Sequence, residues 1–349
     1  MPELSIAGIP IGPGRPTFVI AEIGVNHDGS VRRALELVEL AAAGGADAVK
    51  LQLFTADRLM HGSSAFAGYQ RDRVNDSDPA AMLRRYELSP ADAAIVVAHI
   101  RRHKMVPVAT PFSPADVPGI KSLDLPAVKI ASPDLVNRPL LEAVRSVGRP
   151  MLISTGASTM DEVATTVDWL ADHEPGVALL HCVSSYPTPI GDANLCWIQE
   201  LGRFGLPVGY SDHTTDELAG AAAVTLGACL VEKHLTYDRT ASGPDHSASA
   251  DAQQFAAYVK LIRRAESLRG RAGKRVLEIE QDVRRVSRQS LVAARDLAAG
   301  QTVSAGDVTV QRPGTGIPAA DVSLAVGRRT VGAVRRGTLL QWEMLADAA

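Results

Sequence analysis

The chain has 349 residues, 46% of them hydrophobic, and carries 36 Lys and Arg against 39 Asp and Glu. That is enough apolar material for a large core and enough length for two domains. A formal net charge of −3 argues against a general nucleic-acid-binding surface, which needs a basic excess. The longest apolar stretch, residues 218–231, is rich in Ala and Gly and bounded by Glu217 and Glu232; it is too short to span a bilayer. Residues 1–16 lack a basic segment followed by an apolar core, so no signal peptide is expected. Cys182, Cys196 and Cys229 have neither zinc-site nor disulfide spacing. Free thiols in a reducing cytoplasm are the expectation.

In chain order, apolar runs recur at residues 18–24 (FVIAEIG), 48–54 (AVKLQLF), 106–112 (VPVATPF), 127–134 (AVKIASPD), 150–156 (PMLISTG), 177–187 (VALLHCVSSYP), 207–214 (PVGYSDHT) and 229–236 (CLVEKHLT). They are continuous rather than alternating, as in a parallel sheet covered on both faces. Helical periodicity fills the gaps. Ser30 caps a helix with Val31, Ala34, Leu35, Val38 and Ala42 on its apolar side, stopped by Gly44-Gly45. Ser89-Pro90 opens another with Ala94, Val97, Ala98 and Ile100, and Ser113-Pro114, Asn137-Arg138-Pro139 and Ser158-Thr159 open more. Asp251 precedes a helix carrying Phe255, Val259 and Ile262. Strand and helix alternate over residues 17–268, the usual size of a (β/α)8 TIM barrel. A doubly wound open sheet is the rival architecture, but it concentrates function at one switch point.

Residues 55–88 form a long polar segment after the second strand, expected as a lid over the active-site face. The predicted domains are a barrel at 1–268, a linker at 269–285, and a small β-rich, turn-rich domain at 286–349.

Most of the apolar runs end in polar residues, which are costly to bury unless they are paired. In a TIM barrel, strand ends gather at one mouth. His213 and His234 follow the last two strands, where two imidazoles on neighbouring strands suit a first-row divalent metal, with Glu22 across the closure. Lys50 and Lys129 read three ways: as ion-pair partners, as a clamp for an anionic substrate aided by Thr110, Ser132 and Ser154, or as a Schiff-base nucleophile. Glu22, Asp134 and Glu232 are strand-end carboxylates able to orient a ligand or carry a proton. Asp245 reads equally as a turn acid or as a site residue. In the last segment, Arg312 stands in a QRPGTG loop whose Pro and glycines would present it to solvent.

In order, AEIGVNHDGS, DAVKLQ, ATPFS, VKIAS, STGAS, LLHCVSSYPTP, GYSDHT, EKHLT and SGPDHSAS resemble the sialic acid synthase family, the phosphoenolpyruvate-condensing synthases of nonulosonic acids. The tail resembles the small antifreeze-like (SAF) domain that closes these synthases. The resemblance implies a cytoplasmic homodimer with swapped C-terminal domains, in which Arg312 enters the partner's barrel. It implies phosphoenolpyruvate held by Lys50, Thr110, Lys129, Ser132, Ser154, Ser184 and Ser211. It also implies Mn or Mg held by His213 and His234, and a 2-acetamido aldose such as N-acetylmannosamine faced by Gln52, Tyr186, Asp245 and Arg312. Glu22 and Asp134, with the two lysines, would serve catalysis. Asp134 stands where the bacterial sialic acid synthase pattern has Glu, and Ser184 where it has Asn. These departures bear on the sugar, and pseudaminic, legionaminic and spore-coat-type acids are the alternatives; the rivals from other classes are a Schiff-base pyruvate aldolase and a non-catalytic carbohydrate-binding or ice-binding protein using the small domain.

Overall fold

The computed structural model describes residues 3–61 and 78–347 and divides into two compact units, Met1–Arg271 and Ala272–Ala349. The first unit opens with a hairpin, β1 (Leu4–Ile6) against β2 (Ile9–Ile11), turned through Ala7 and Gly8 at φ 50° and 80°. Eight parallel strands then close a barrel: β3 (Phe18–Gly24), β4 (Ala48–Leu53), β5 (Val106–Pro111), β6 (Val128–Ile130), β7 (Met151–Ser154), β8 (Val177–Cys182), β9 (Val208–Asp212) and β10 (Leu230–His234), with β10 beside β3. Each expected run contains one strand, so the TIM-barrel expectation is met.

The alternation of side chains along a strand explains the polar endings. Outward residues such as Val19, Ala21, Val49, Leu51 and Val231 pack into one large core with the surrounding helices. Inward residues at the strand starts, Phe18, Ile20, Ala48, Val106, Val108, Leu152 and Leu230, form a second apolar core with Leu4, Ile6 and Ile11 of the hairpin, which thereby plugs that end. Further along the same inward rows the chemistry changes. Ile20 gives way to Glu22, Ala48 to Lys50 and Gln52, Val108 to Thr110, Leu152 to Ser154, and Leu230 to Glu232 and His234.

The helix starts follow the expected chemistry. Ser30, Ser89, Asn137 and Asp251 each accept a backbone N–H in the first turn, and Thr159 forms a reciprocal capping box with Glu162. Ser113 instead donates to Asp116 and opens a short 3-10 turn. Two helix faces are rotated from expectation. In Val31–Ala43 the buried residues are Ala34, Leu37, Val38 and Ala41. In Pro90–Arg102 Ala93 and Val96 are buried, whereas Ala94 and Ala98 are exposed; the larger residues set the face, and alanines tolerate either side. Part of the supposed lid is helical, at Ala56–Leu59 and Pro79–Arg84, the latter started by Asp78 and Pro79. Its residues 62–77 lie outside the described residues.

In the second unit β11 (Ser290–Ala293) pairs with β12 (Val308–Gln311) and β13 (Arg329–Thr330) with β14 (Leu345–Ala346), all antiparallel, around Leu291, Leu297, Val303, Ile317 and Leu340. The stretch read as linker is helical over Gln281–Ser287, and Arg285 O accepts from Gly314 N at 2.8 Å. No described helix is long and apolar enough to cross a membrane.

Candidate active site

A pocket of about 510 Å³ opens at the C-terminal ends of the barrel strands, and every residue lining it belongs to the first unit. Lys50, Gln52, Thr110, Lys129, Ser132, Asp134, Ser154, Ser184, Tyr186, Ser211, His213, His234 and Asp245 all line it. Glu22 lies just beneath, fully buried, and reaches the lining through Lys50 and Gln52. Arg312 is in the second unit, exposed on a loop pinned by Ser290, whose hydroxyl donates to Pro313 O and accepts from Gly316 N.

At the floor are two cations and two carboxylates. Lys50 Nζ lies 2.9 Å from Glu22 Oε2 and 3.3 Å from Glu232 Oε1, and Lys129 Nζ lies 4.0 Å from the same Glu232 oxygen. Lys129 also donates to Ser154 Oγ at 2.6 Å, and Ser211 Oγ donates to Glu232 Oε1 at 3.0 Å. Burial pulls Lys129 down to about 8. Burial also pushes Glu232 up, but Lys129 and Lys50 outweigh it and hold that carboxyl at about 2. Glu22 goes the other way, because burial raises it by more than Lys50 lowers it. Two neighbouring carboxylates with diverging proton affinities suit an ion holder beside a proton carrier. Glu232 Oε2 is buried without a hydrogen-bond partner, an acceptor left for a ligand.

Beside the lysines lies a cradle of small groups. Gly156 N donates to Ser132 Oγ at 3.0 Å. A Cβ on Gly156 would stand 2.4 Å from Ser184 Oγ, 2.9 Å from Ser132 Oγ and 3.0 Å from Cys182 Sγ, so only glycine admits this convergence. Asp134 follows β6 on a 3-10 turn, its Oδ1 accepting from Asn137 at 2.9 Å; burial raises its carboxyl despite that bond.

His213 and His234 meet edge to face, ring centroids 5.4 Å apart, with the Tyr186 ring tilted by 33° at 4.0 Å from His213. His213 Nδ1 lies 2.8 Å from Val183 O. A carbonyl only accepts, so Nδ1 carries the proton and Nε2 is left as a ligand atom. Burial, with the Lys50 charge adding to it, keeps His234 neutral, as metal ligation requires. Its Nδ1 is 3.7 Å from Asp245 Oδ2. The donor set fits a divalent ion held by two imidazoles, with positions left for substrate and water.

Glu232, read from the sequence as one of three strand-end carboxylates able to orient a ligand or carry a proton, joins both lysines. Sequence reasoning took Cys182 for a plain buried thiol; the residue is buried, but it lines the pocket 3.7 Å from His213 Nδ1. The braces behind the pocket were missed as well. Asn26 donates to Ser249 Oγ at 2.8 Å, and Ser249 donates to Asp245 O at 2.8 Å. His246 bridges Thr236 Oγ1 at 2.7 Å and Asp28 Oδ1 at 3.1 Å. The signal was the density of polar residues in NHDGS and PDHSAS, which no ligand role used up.

A closed parallel barrel whose strand ends gather buried lysines, carboxylates, serines and imidazoles defines a class: a TIM-barrel enzyme scaffold with a charged, polar mouth. The NeuB family model matches residues 37–274, and the SAF domain model residues 288–346. The chain therefore belongs to the NeuB family and carries a SAF domain after its barrel. It is 38% identical over 341 residues to the N,N'-diacetyllegionaminic acid synthase of Legionella pneumophila, covering 96% of each chain. The solved N-acetylneuraminic acid (sialic acid) synthetase of Leptospira borgpetersenii matches with a TM-score of 0.73 and 31% identity, over 80% of this chain and 94% of that one. The spore coat polysaccharide biosynthesis protein of Bacillus subtilis matches with a TM-score of 0.66 and 29% identity, over 99% of this chain and 100% of that one.

Proposed function

We propose that this chain condenses phosphoenolpyruvate with the open-chain aldehyde of an N-acetylmannosamine-type 2-acetamido aldose, giving a nonulosonic acid and inorganic phosphate. The observation that carries this reading is the pairing of Lys50 and Lys129 with the Ser132–Ser154–Gly156–Ser184 cradle, beside two carboxylates of opposite proton affinity. Both lysines, with Thr110 and Ser211, grip the phosphate and carboxylate of phosphoenolpyruvate. Gln52, Tyr186 and Asp245 face the sugar. A divalent ion, Mn or Mg, held by His213 and His234 would supply the positive charge that polarises the aldehyde oxygen.

C3 of phosphoenolpyruvate attacks the aldehyde carbon, and positive charge develops at C2. Glu232, ionised, stabilises that charge. Asp134 or Glu22, both pushed up by burial, takes the proton of the water that adds at C2. The bond between C2 and the bridging phosphate oxygen then breaks, the added hydroxyl becoming the C2 ketone; of water's two protons, one ends on the alkoxide formed from the aldehyde oxygen and the other, returned by the carboxyl group, on the departing phosphate. In the swapped homodimer that the family resemblance implies, Arg312 of each chain serves the other's sugar site.

The assay is phosphate release from phosphoenolpyruvate with each of a panel of 2-acetamido and 2,4-diacetamido hexoses. Release should require the aldose, stop with EDTA and return with Mn. Borohydride trapping of a pyruvate adduct on Lys129, without phosphoenolpyruvate consumption, would instead establish a Schiff-base aldolase.

One observation favours a second acceptor within the same chemistry. Part of the pocket lining is apolar, made by Val25, Phe54, Met60, Met82, Leu83 and Phe112. Hydroxyls facing it would lose their water without gaining partners, whereas acyl methyl groups would gain burial. An acceptor with a second acetamido group fits, as the N,N'-diacetyl product named for the Legionella relative requires. A lower KM for 2,4-diacetamido hexoses than for N-acetylmannosamine decides for it.

A further inference from the structure

Away from the pocket, the described residues hold one cluster of three metal-ligand side chains whose donor atoms all lie within 4.8 Å of one another: Glu39, His99 and His103. None of them lines the barrel pocket. Glu39 sits on helix Val31–Ala43. His99 sits on helix Pro90–Arg102, and His103 is its C-cap. His103 N donates to His99 O at 3.2 Å, so the helical turn persists and brings the two rings together edge to face, with centroids 4.7 Å apart. His99 Nε2 is buried, has no hydrogen-bond partner, and lies 3.5 Å from Glu39 Oε1. That separation is too long and too poorly directed for a hydrogen bond. It does match the edge of a tetrahedron, about 3.4 Å between donors each roughly 2.05 Å from a zinc ion.

We propose that Glu39, His99 and His103 form a divalent transition-metal site, with zinc the best-suited ion, that staples these two outer helices together. Two imidazoles exclude calcium and magnesium as preferred guests, and one carboxylate offsets part of the ion's charge. Water completes the fourth position, since Glu39 and His103 are exposed. The ion would also lie at the negative end of helix Pro90–Arg102. One neighbour opposes it. Arg102 NH2 lies 3.1 Å from His99 Nδ1. A guanidinium only donates, so Nδ1 now accepts and Nε2 carries the proton. Ligation through Nε2 moves that proton to Nδ1 and releases Arg102, an exposed side chain free to turn away.

This site is independent of the barrel chemistry, and so is its test. Chelator-stripped full-length protein is titrated with zinc by calorimetry and followed by thermal melting. The wild type should take up one zinc equivalent more than His103→Ala. That extra zinc should raise the melting temperature by roughly 3–6 °C, a rise absent from His103→Ala. Glu39→Gln should weaken the step by about tenfold or more, and Arg102→Gln should tighten it by about threefold to fivefold. Phosphate release should be unchanged in His103→Ala. Equal zinc uptake and equal thermal shifts in the wild type and His103→Ala would overturn the site, as would looser binding in Arg102→Gln.

Discussion

The two halves of the barrel interior are built on the same strands and face the same axis, yet they carry opposite chemistry. Where the strands begin, Phe18, Ile20, Ala48, Val108 and Leu230 pack against the hairpin into a dry plug. Two residues further along each strand stand Glu22, Lys50, Thr110 and Glu232. The difference teaches a division of labour. The plug supplies burial energy and fixes strand geometry, and the charged end spends that rigidity on holding like-sized ions a few ångströms apart.

Substitutions can break this comparison at either end. Lys50→Met leaves Glu22 and Glu232 buried without their shared cation. Phosphate release should fall on the order of a thousandfold, with stability down by roughly 3 kcal/mol. Ile20→Ala, in the plug, should cost about 2–4 kcal/mol in urea melts and leave the KM for phosphoenolpyruvate unchanged. If it raised that KM tenfold, the division would be wrong. Gly156→Ala pushes a methyl into Ser184 and Ser132; the KM for phosphoenolpyruvate should rise roughly tenfold, for a stability loss of about 1–3 kcal/mol.

Titration sharpens the comparison further. Lys129 sits at about 8 in the fold against an ordinary 10.5. The unfolded chain therefore binds more protons between those values, and stability rises with pH across that window. The anion clamp needs the charged lysine, so the KM for phosphoenolpyruvate should climb about tenfold per pH unit above about 8 while the melting temperature does not fall. Lys129→Arg should flatten that climb. Glu232 is the opposite case, at about 2 against 4.5. Its contribution is complete above about pH 4.5 and is lost as pH falls toward 2, so Glu232→Gln should shallow the acid limb of the stability profile.

The barrel was legible because eight continuous apolar runs alternate with helical segments and most of those runs end in residues that are costly to bury in a core. Lys50, Lys129, His213 and His234 could be picked out for that reason. Three-residue strands such as Leu4–Ile6 and Ile9–Ile11 carry too little pattern to be seen, so the plug was not. Glu232 precedes Lys233 and His234, and sequence alone does not say which of three adjacent polar residues turn inward. The register does: Lys233 faces outward and bonds Asp212 Oδ2 at 3.0 Å, leaving Glu232 and His234 inside. The helix faces of Val31–Ala43 and Pro90–Arg102 were misjudged because alanine-rich helices have weak sidedness. The helix at Gln281–Ser287 was hidden by its charge.

The floor of the pocket carries two lysines and two carboxylates linked by separations of 2.9, 3.3 and 4.0 Å, so these four side chains offset one another's charge. An arriving anion finds no surplus of positive charge. It enters by trade, accompanied by a cation or by a proton taken up on Glu22, whose carboxyl burial has primed for one. On the proposed function, capture of phosphoenolpyruvate at this mouth is an act of ion exchange, and its thermodynamics will carry the signature of the companion ion as much as that of the ligand.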